Sequence, residues 1–447
     1  MDHVEAAILR VIDRRSGELT AFARDIYEHA EPGFREFRTA GIVAEKLRAL
    51  SLPVREGLAV TGVRADLRAE HRIGQSVTVA ALGELDGIKC PKHPFANPET
   101  GLSHTCGHHV QLTALLGAAF ALSDEEVRPY LDGNVAFFAV PSEEFSDIDY
   151  KTGLMRAGKI KYGGGKSELI RIGAFDDVNL AVSHHLHMVK THSDLLLGNN
   201  TTNGFVVKKA RFLGRAAHAA IAPQNGINAL NAAALAMSAL QFQRETFRDD
   251  DHVRVHAIIT RGGDMVNVVP DEVCMEAQVR AKYMPAMLDA CHKTDRAFRA
   301  GAYAVGGEVE IHNLPGYLPI LEEPVSGALV SAGQALAGEA SVAKVDFSVH
   351  NPASTDVGDL THLMPVVGFT SGGFSGALHS ADFRITDEYK AYILPAKAMA
   401  LTLYHLLKNG AGEAHAALEQ FPHHLSKREY MDYMDGYYKE QPQEAGE

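Results

Sequence analysis

Hydrophobic and polar positions follow two different patterns along the chain. In the first 200 residues, helical spacing such as that of Val4, Ile8, Val11 and Ile12 alternates with short runs that are apolar on both faces. Such runs are typical of buried strands in a mostly parallel sheet that is covered by helices on each side. The runs are residues 77–82, 134–140 and 178–182. This part of the chain therefore predicts an α/β fold.

From about Asn200 the pattern changes to a period of two. Residues 273–280 alternate apolar with polar side chains, which indicates a strand with one solvated face, and residues 227–237 carry one apolar helix face. After Gly316 the α/β pattern returns and includes a helix near 396–407. We therefore expect a catalytic domain with an inserted α+β lid or dimerisation domain. The predicted boundaries are 1–197 and 317–447 for the catalytic domain and 198–316 for the insertion.

Composition narrows the classes of partner. The 447 residues are 46% hydrophobic and 22% charged, as in ordinary globular proteins, and 56 acidic against 43 basic residues give a net charge of −13. This charge repels phosphate backbones and anionic membranes, so neither nucleic acid nor a membrane is expected as a partner. Four scattered cysteines form no disulfide framework, and the acidic N-terminus is unlike a signal peptide. We expect a soluble, cytoplasmic protein that acts on a small molecule.

The segment from Ser103 to His109 carries the densest candidate chemistry. It reads Ser-His-Thr-Cys-Gly-His-His and lies between a strand-like segment and the predicted helix 112–122. Cys106 and His108 are two residues apart at the start of a helix, where a thiolate and an imidazole can face one metal ion while Gly107 permits a tight turn. The alternative is a polar loop with incidental histidines.

A pair of carboxylates, Glu143 and Glu144, directly follows the predicted strand 134–140. Chemistry in α/β sheets is placed at the carboxyl ends of strands, and two adjacent carboxylates can act as metal ligand and general base. An exposed pair of glutamates is a common alternative. The pair therefore needs support from other segments.

Histidines in two later segments can complete a metal site. His184, His185 and His187 end an apolar run, and sequence spacing does not choose among them; His379 follows a flexible glycine pair. With the earlier segments they form a Cys/His/Glu/His donor set with one extra carboxylate. Such a set suits Zn²⁺ or Mn²⁺, because imidazole and carboxylate bind either ion and thiolate favours zinc.

In these segments the chain resembles the M20 family of metallopeptidases and amidohydrolases, and within it the branch of aminobenzoyl-glutamate hydrolase. The resemblance covers about residues 26–407, and its motifs occur in family order. The matching segments are 84–87 (Glu-Leu-Asp-Gly), 104–109, 143–144, 182–185, 214–219 (Gly-Arg-Ala-Ala-His-Ala), 266–270, 354–359 and 378–379. The ordered set is far more specific than any one motif.

The resemblance implies a role for each matched residue. The implied metal ligands are Cys106, His108, Glu144, His185 and His379, and the implied general base is Glu143. His218 would reach into the active site of a partner subunit and stabilise the oxyanion, while Asn267 would lie near the substrate. Asp86 and His109 would lie behind the ligands. Relatives often carry Asp or Asn at position 109, so the number of ions, one or two, stays open.

Three functional hypotheses remain open at the level of sequence. The first is hydrolysis of an amide C–N bond in a small carboxylated substrate, either aromatic or an acyl-amino acid, by a homodimer or larger homo-oligomer. Arg215 and Arg280 are candidates for holding the substrate carboxylate, with ordinary solvated arginines as the alternative. The second is hydrolytic deamination of an aryl amine such as 5-nitroanthranilate. The third is a non-catalytic binding protein with the same fold.

Overall fold

The computed structural model describes residues 1–70 and 76–437, which divide into two compact units. The first unit consists of Met1–Asn200, Leu321–Asn351 and Asp359–Leu425. The second consists of Thr201–Ile320, Pro352–Gly358 and the C-terminal segment that begins at Ser426. The domain boundaries 1–197, 198–316 and 317–447 stay predictions. The compact units differ from them by grouping two later segments, 352–358 and the C-terminal one, with the insertion.

Helices and strands are numbered in chain order over the described residues. The helices are α1 (His3–Arg14), α2 (Ser16–Glu28), α3 (Phe37–Arg48), α4 (His108–Leu122), α5 (Ile148–Arg156), α6 (Gly165–Arg171), α7 (Ala229–Gln243), α8 (Met284–Ala304), α9 (Gly327–Leu336), α10 (Val357–Thr361), α11 (Leu394–Gln420) and α12 (Lys427–Gly436). The strands are β1 (Val54–Leu58), β2 (Gly62–Leu67), β3 (Thr78–Glu84), β4 (Ile88–Lys89), β5 (Leu102–Ser103), β6 (Asn134–Val140), β7 (Leu180–Leu186), β8 (Leu195–Leu197), β9 (Gly204–Leu213), β10 (Arg254–Arg261), β11 (Glu272–Ala281), β12 (Glu308–Pro315), β13 (Val342–Lys344), β14 (Val366–Ser371), β15 (Phe374–Ser375) and β16 (Arg384–Ile385).

The first unit is built on a mixed sheet whose strand order is β1-β2-β6-β3-β7-β14-β8-β13 in the described part of the chain. Strands β6, β3, β7 and β14 run parallel to one another. Strand β2 is antiparallel to β6, and β1 is antiparallel to β2. The predicted apolar runs fall in β3, β6 and β7, whose residues are almost all buried. Helix α4 is buried along its whole length, which explains the largely apolar sequence of residues 112–122. The α/β prediction is thereby confirmed.

In the first unit, candidate site residues lie at the carboxyl ends of neighbouring parallel strands. Strand β3 ends at Glu84, the pair Glu143–Glu144 follows β6, and His185 lies near the end of β7. The three strands are neighbours, with β3 paired in parallel to both others. Their carboxyl ends therefore meet, as the sequence predicts for an α/β site.

The second unit contains an antiparallel sheet of order β10-β11-β9-β12 and helices α7 and α8. Burial alternates residue by residue along β11, as its period of two predicts. The apolar side chains of β9 and β11 share a core with both helices. Strand β10 forms one edge of this sheet and is mostly exposed.

The helix predicted near 396–407 lies within α11 and is continuous there. Beyond it, positions 408–411 leave the helical conformation before the chain continues helically to Gln420. Asn409, Gly410 and Ala411 all have positive φ angles. Within the described ranges, no helix has the length and apolar character required to cross a membrane.

Candidate metal centre

A glycine-dependent turn presents the first two candidate ligands. Gly107 has φ +93°, and a Cβ atom at this position would lie only 2.5 Å from the Leu186 side chain. Glycine therefore satisfies both the left-handed backbone and the close approach. The turn places Cys106 and His108 together at the start of α4, both buried.

The structure brings the five implied ligands together in two overlapping groups. Donor atoms of Cys106, His108 and His185 lie within 4.8 Å of one another, and so do those of Cys106, Glu144 and His379. Cys106 Sγ is 3.5 Å from His185 Nε2, and His379 Nε2 is 3.0 Å from Glu144 Oε1. Cys106 belongs to both groups. The site can therefore offer thiolate, imidazole and carboxylate donors to one ion or to two.

Hydrogen bonds to backbone carbonyls orient two of the imidazoles. His108 Nδ1 lies 2.7 Å from the carbonyl oxygen of Asp86, and His185 Nδ1 lies 2.9 Å from that of Leu186. Because a carbonyl only accepts, each Nδ1 carries a proton, and in the neutral imidazole each Nε2 is left with a lone pair. Among the described residues His108 Nε2 has no hydrogen-bond partner. This donor set fits a bound divalent ion.

Asp86 fixes the neighbouring carboxylate pair through the backbone. Its Oδ1 accepts a hydrogen bond from Glu143 N at 3.0 Å, and its Oδ2 accepts one from Glu144 N at 2.9 Å. Asp86 Oδ1 also lies 3.3 Å from His108 Nδ1. This fully buried side chain thus connects the turn that carries Glu143 and Glu144 to the imidazole of His108.

Two residues at this centre had no role in the sequence-based site. Glu84 Oε2 lies 3.2 Å from His108 Nε2, while Lys166 Nζ lies 2.6 Å from Glu84 Oε1. Glu84, His108 and Glu143 form a third group with donor atoms within 4.8 Å of one another. Burial opposes ionisation of Glu84, but the positive charges of Lys166, His108 and His185 together outweigh it and lower the pKa of Glu84. Glu84 begins the matching motif 84–87, so the sequence offers a signal for it. The only signal near Lys166 is the run of three glycines at 163–165.

Electrostatics at the site oppose a free thiolate. Burial and the negative charge of Glu144 raise the pKa of the Cys106 thiol well above its usual range. Burial disfavours a charge on His108, yet Cys106 and Glu84 together raise the pKa of His108 well above its usual range. For Glu144, burial is outweighed by the hydrogen bond to His379, which lowers its pKa. A thiolate ligand at Cys106 therefore depends on a nearby cation.

The structure distinguishes the candidate histidines. His184 Nε2 lies 2.9 Å from Ser371 Oγ, and His187 Nδ1 lies 2.7 Å from Thr370 Oγ1, so both have side-chain partners on β14. His109 stacks on Tyr27 with ring centroids 4.5 Å apart, and burial lowers its pKa well below the usual value. Of these histidines and His185, only His185 belongs to a donor group found in the described chain.

The remaining candidates lie in the second unit. His218 and Asn267 are exposed and lie on paired segments, with a bridge between His218 and Val268 and a 3.0 Å bond from Ala219 N to the Asn267 carbonyl oxygen. Arg215 Nε donates to the Asn225 carbonyl oxygen at 2.6 Å. Arg280, on β11, donates to Ser354 Oγ at 2.9 Å and to Gln278 Oε1 at 2.8 Å. Their roles toward substrate stay predictions.

Comparison with known proteins identifies the group to which this chain is related. Residues 200–292 match the model of the peptidase dimerisation domain of the M20 family. The mouse Xaa-Arg dipeptidase is 28% identical over 80% of this chain and 79% of its own length. A p-aminobenzoyl-glutamate hydrolase polypeptide from Escherichia coli strain K12 is 30% identical over 62% of this chain and about half of its own length, 53%.

A solved structure shares the fold. The dinuclear metal-binding M20 peptidase from Bacillus subtilis aligns with a TM-score of 0.61 over 87% of this chain and 97% of its own, at 19% identity. The motif-based resemblance is thus confirmed in sequence and in fold. The chain thus contains the peptidase dimerisation domain of the M20 family, and it is similar in sequence to amidohydrolases and in fold to an M20 peptidase.

Proposed function

We propose that this protein hydrolyses an amide C–N bond in a small carboxylated substrate, with Glu143 as general base beside a metal centre. The observation that carries the proposal is the pair of donor groups that share Cys106 next to the buried Glu143. A protein that only bound its ligand would have no need for a second carboxylate beside the ligand Glu144. This observation favours catalysis over the non-catalytic alternative.

The proposed ligands are Cys106, His108, Glu144, His185 and His379. A bound divalent ion would supply a water of lowered pKa and would polarise the carbonyl of the scissile amide. The Glu143 carboxylate would take the proton from the attacking water and pass it to the departing amine. Asp86 would keep that carboxylate in place through the backbone of Glu143.

We propose Zn²⁺ or Mn²⁺ as the metal, with two ions per subunit. The imidazoles and carboxylates serve either ion, while the thiolate favours zinc. Two ions are supported by the two donor groups that overlap at Cys106, and the structural neighbour from Bacillus subtilis is described as dinuclear. The residues that would hold the ions are Cys106, His108 and His185 in one donor group and Cys106, Glu144 and His379 in the other.

The substrate class can be tested by product analysis. Relatives include the p-aminobenzoyl-glutamate hydrolase polypeptide and an N-acetyl-L-cysteine deacetylase, which supports an N-acyl or N-aroyl amino acid as substrate. We expect the metal-loaded enzyme to release a free amino acid from members of such a panel. The same assay on carboxylated aryl amines such as 5-nitroanthranilate should release no ammonia. Ammonia without amino acid would establish the deaminase alternative instead.

We also propose that the protein is a homodimer that pairs through the second unit. Strand β10 is a sheet edge, and an unpaired edge is a template for pairing with another chain. Large apolar side chains are exposed on β10, on α7 and on the nearby loops. They are Ile221, Leu235, Phe242, Ile258, Ile259, Met265 and Val266.

The four free cysteines are consistent with a reducing compartment, so we propose a cytoplasmic location.

A mixing experiment tests whether His218 acts across the dimer. The Glu143→Gln and His218→Ala proteins should each be nearly inactive. After subunit exchange, a mixed dimer contains one site with both groups intact, so about a quarter of wild-type activity should return in an equal mixture. Activity of the exchanged sample is the measurement. If mixed dimers form and no activity returns, His218 does not serve the partner's site.

A further inference from the structure

The turn that carries Glu143 and Glu144 is held by three consecutive backbone N–H groups. Those of Glu143 and Glu144 donate to the Asp86 carboxylate. The preceding one, Ser142 N–H, donates instead to Glu36 Oε1 at 2.7 Å. Ser142 has φ +51°, a left-handed backbone conformation that residues other than glycine and asparagine adopt rarely. Glu36 thus holds the turn at its first residue, whose backbone conformation is the unusual one.

Glu36 is a fully buried carboxyl group without an ion-pair partner in the described chain. Its second oxygen accepts a hydrogen bond from the Thr61 hydroxyl group. Burial and the negative charge of Asp86 raise the pKa of Glu36 above its usual value. The buried group is therefore favoured as the neutral acid, whose carbonyl oxygen still accepts a hydrogen bond from Ser142 N–H. The hydrogen bond from Thr61 thus holds the carboxyl group in the orientation in which Oε1 accepts from Ser142 N–H.

The surroundings leave the turn little freedom. A Cβ atom on Gly33 would lie 2.5 Å from Ser142 Oγ, so the chain on that side packs directly against the serine. On the other side, Gly165 N donates to the Ser142 carbonyl oxygen at 3.1 Å. Beyond the turn, Lys151 Nζ donates to the Glu144 carbonyl oxygen at 3.0 Å. Small displacements of Ser142 are thus passed on to the next residue, Glu143.

We propose that Glu36 is a positioning residue for the hydrolytic reaction. It fixes the left-handed conformation of Ser142 at the entry to the turn, while Asp86 fixes the following two residues. Together the two carboxyl groups set where the Glu143 carboxylate lies relative to the metal ligands. This inference rests on the proposed function of Glu143 and Glu144.

Two substitutions at Glu36 separate positioning from bulk. Glu36→Gln keeps a carbonyl acceptor for Ser142 N–H, so we expect kcat within about threefold of wild type. Glu36→Leu keeps the approximate volume but removes the acceptor. We expect kcat to fall by roughly 10- to 100-fold, as for other small misplacements of a reacting group, while KM changes little. Rescue by glutamine and the selective loss in kcat are the readouts that a purely structural role does not produce.

Glu323→Leu is the matched control. Glu323 Oε2 also accepts a backbone N–H, from Val366 at 3.0 Å, and burial raises its pKa to about 7. Val366 begins β14, at the end of the strand away from His185. We therefore expect Glu323→Leu to lower thermal stability without lowering kcat. A kcat loss equal to that of Glu36→Leu would overturn the proposal.

Crystal structures provide a readout independent of activity. In Glu36→Leu we expect Ser142 or the Glu143 carboxylate to be displaced, with the metal ligands still in place; an unchanged turn would overturn the proposal. If Glu36→Leu does not fold, Thr61→Val takes its place, since it frees Glu36 to move. Unchanged kcat in Thr61→Val would then overturn it. Full activity of Glu143→Gln would instead refute the proposed function, so the two failures are distinguishable.

Discussion

Glu143→Gln should reduce turnover by about 10²- to 10⁴-fold, the usual contribution of a general base. The amide has nearly the same shape but cannot take a proton from water. Because Glu143 is not among the proposed ligands, the variant should keep its metal. Steady-state kinetics and metal analysis of the same preparation are the measurements.

The neighbouring residue provides the control for this result. Glu144→Gln changes the same group one position away, in the donor group with Cys106 and His379. We expect this variant to lose metal as well as activity. If instead Glu143→Gln lost metal and Glu144→Gln kept it, the two carboxylates would have exchanged roles. Turnover near that of wild type in Glu143→Gln would exclude the mechanism.

The Cys106→Ala/His108→Ala double variant should lose its metal. The two side chains provide a thiolate and an imidazole to one group, and Cys106 also belongs to the other. Loss of an outer hydrogen-bond partner alone costs roughly 10- to 100-fold in affinity, so loss of two direct donors should cost more. The measurement is metal content after dialysis at a fixed free-metal concentration.

Cys291→Ala is the matched control for the thiol. Cys291 is also buried, but it lies on α8 in the second unit, and burial raises the pKa of its thiol to about 11. We expect this variant to bind metal as the wild type does. Full metal content in the double variant would show that the centre is not built from Cys106 and His108.

Local patterns in the sequence predict those parts of the fold that depend on local burial. The apolar run 134–140 predicts strand β6 with the bounds that the structure has, because both faces of this strand are buried. Helix α4 begins four residues earlier than its apolar run, at His108, because Gly107 starts it. Its polar first turn carries a candidate ligand and so lacks an apolar signal. The start of α4 is therefore not evident from the hydrophobic pattern, because His108 is polar.

Contacts between distant segments were beyond the reach of these patterns. His184, His185 and His187 have identical chemistry, and only the pairing of β7 with β14 gives two of them partners in Ser371 and Thr370. The bond between Glu36 and Ser142 joins residues that are 106 positions apart. The hydrophobic periodicity does not indicate which of these residues bind metal. The family motifs do, because they match the implied ligands in their order along the chain.

The order of the ligands along the chain has a consequence for biosynthesis. Four of the five proposed donors precede the segment Thr201–Ile320 of the second unit, and the fifth, His379, follows that segment. At 5 to 20 residues per second, a ribosome needs roughly 10 to 40 s to pass from His185 to His379. During that interval the proposed centre would lack its last imidazole, although Cys106 would already be present. Metal acquired cotranslationally would therefore be held by an open site, and its final selection would follow release of the C-terminal part.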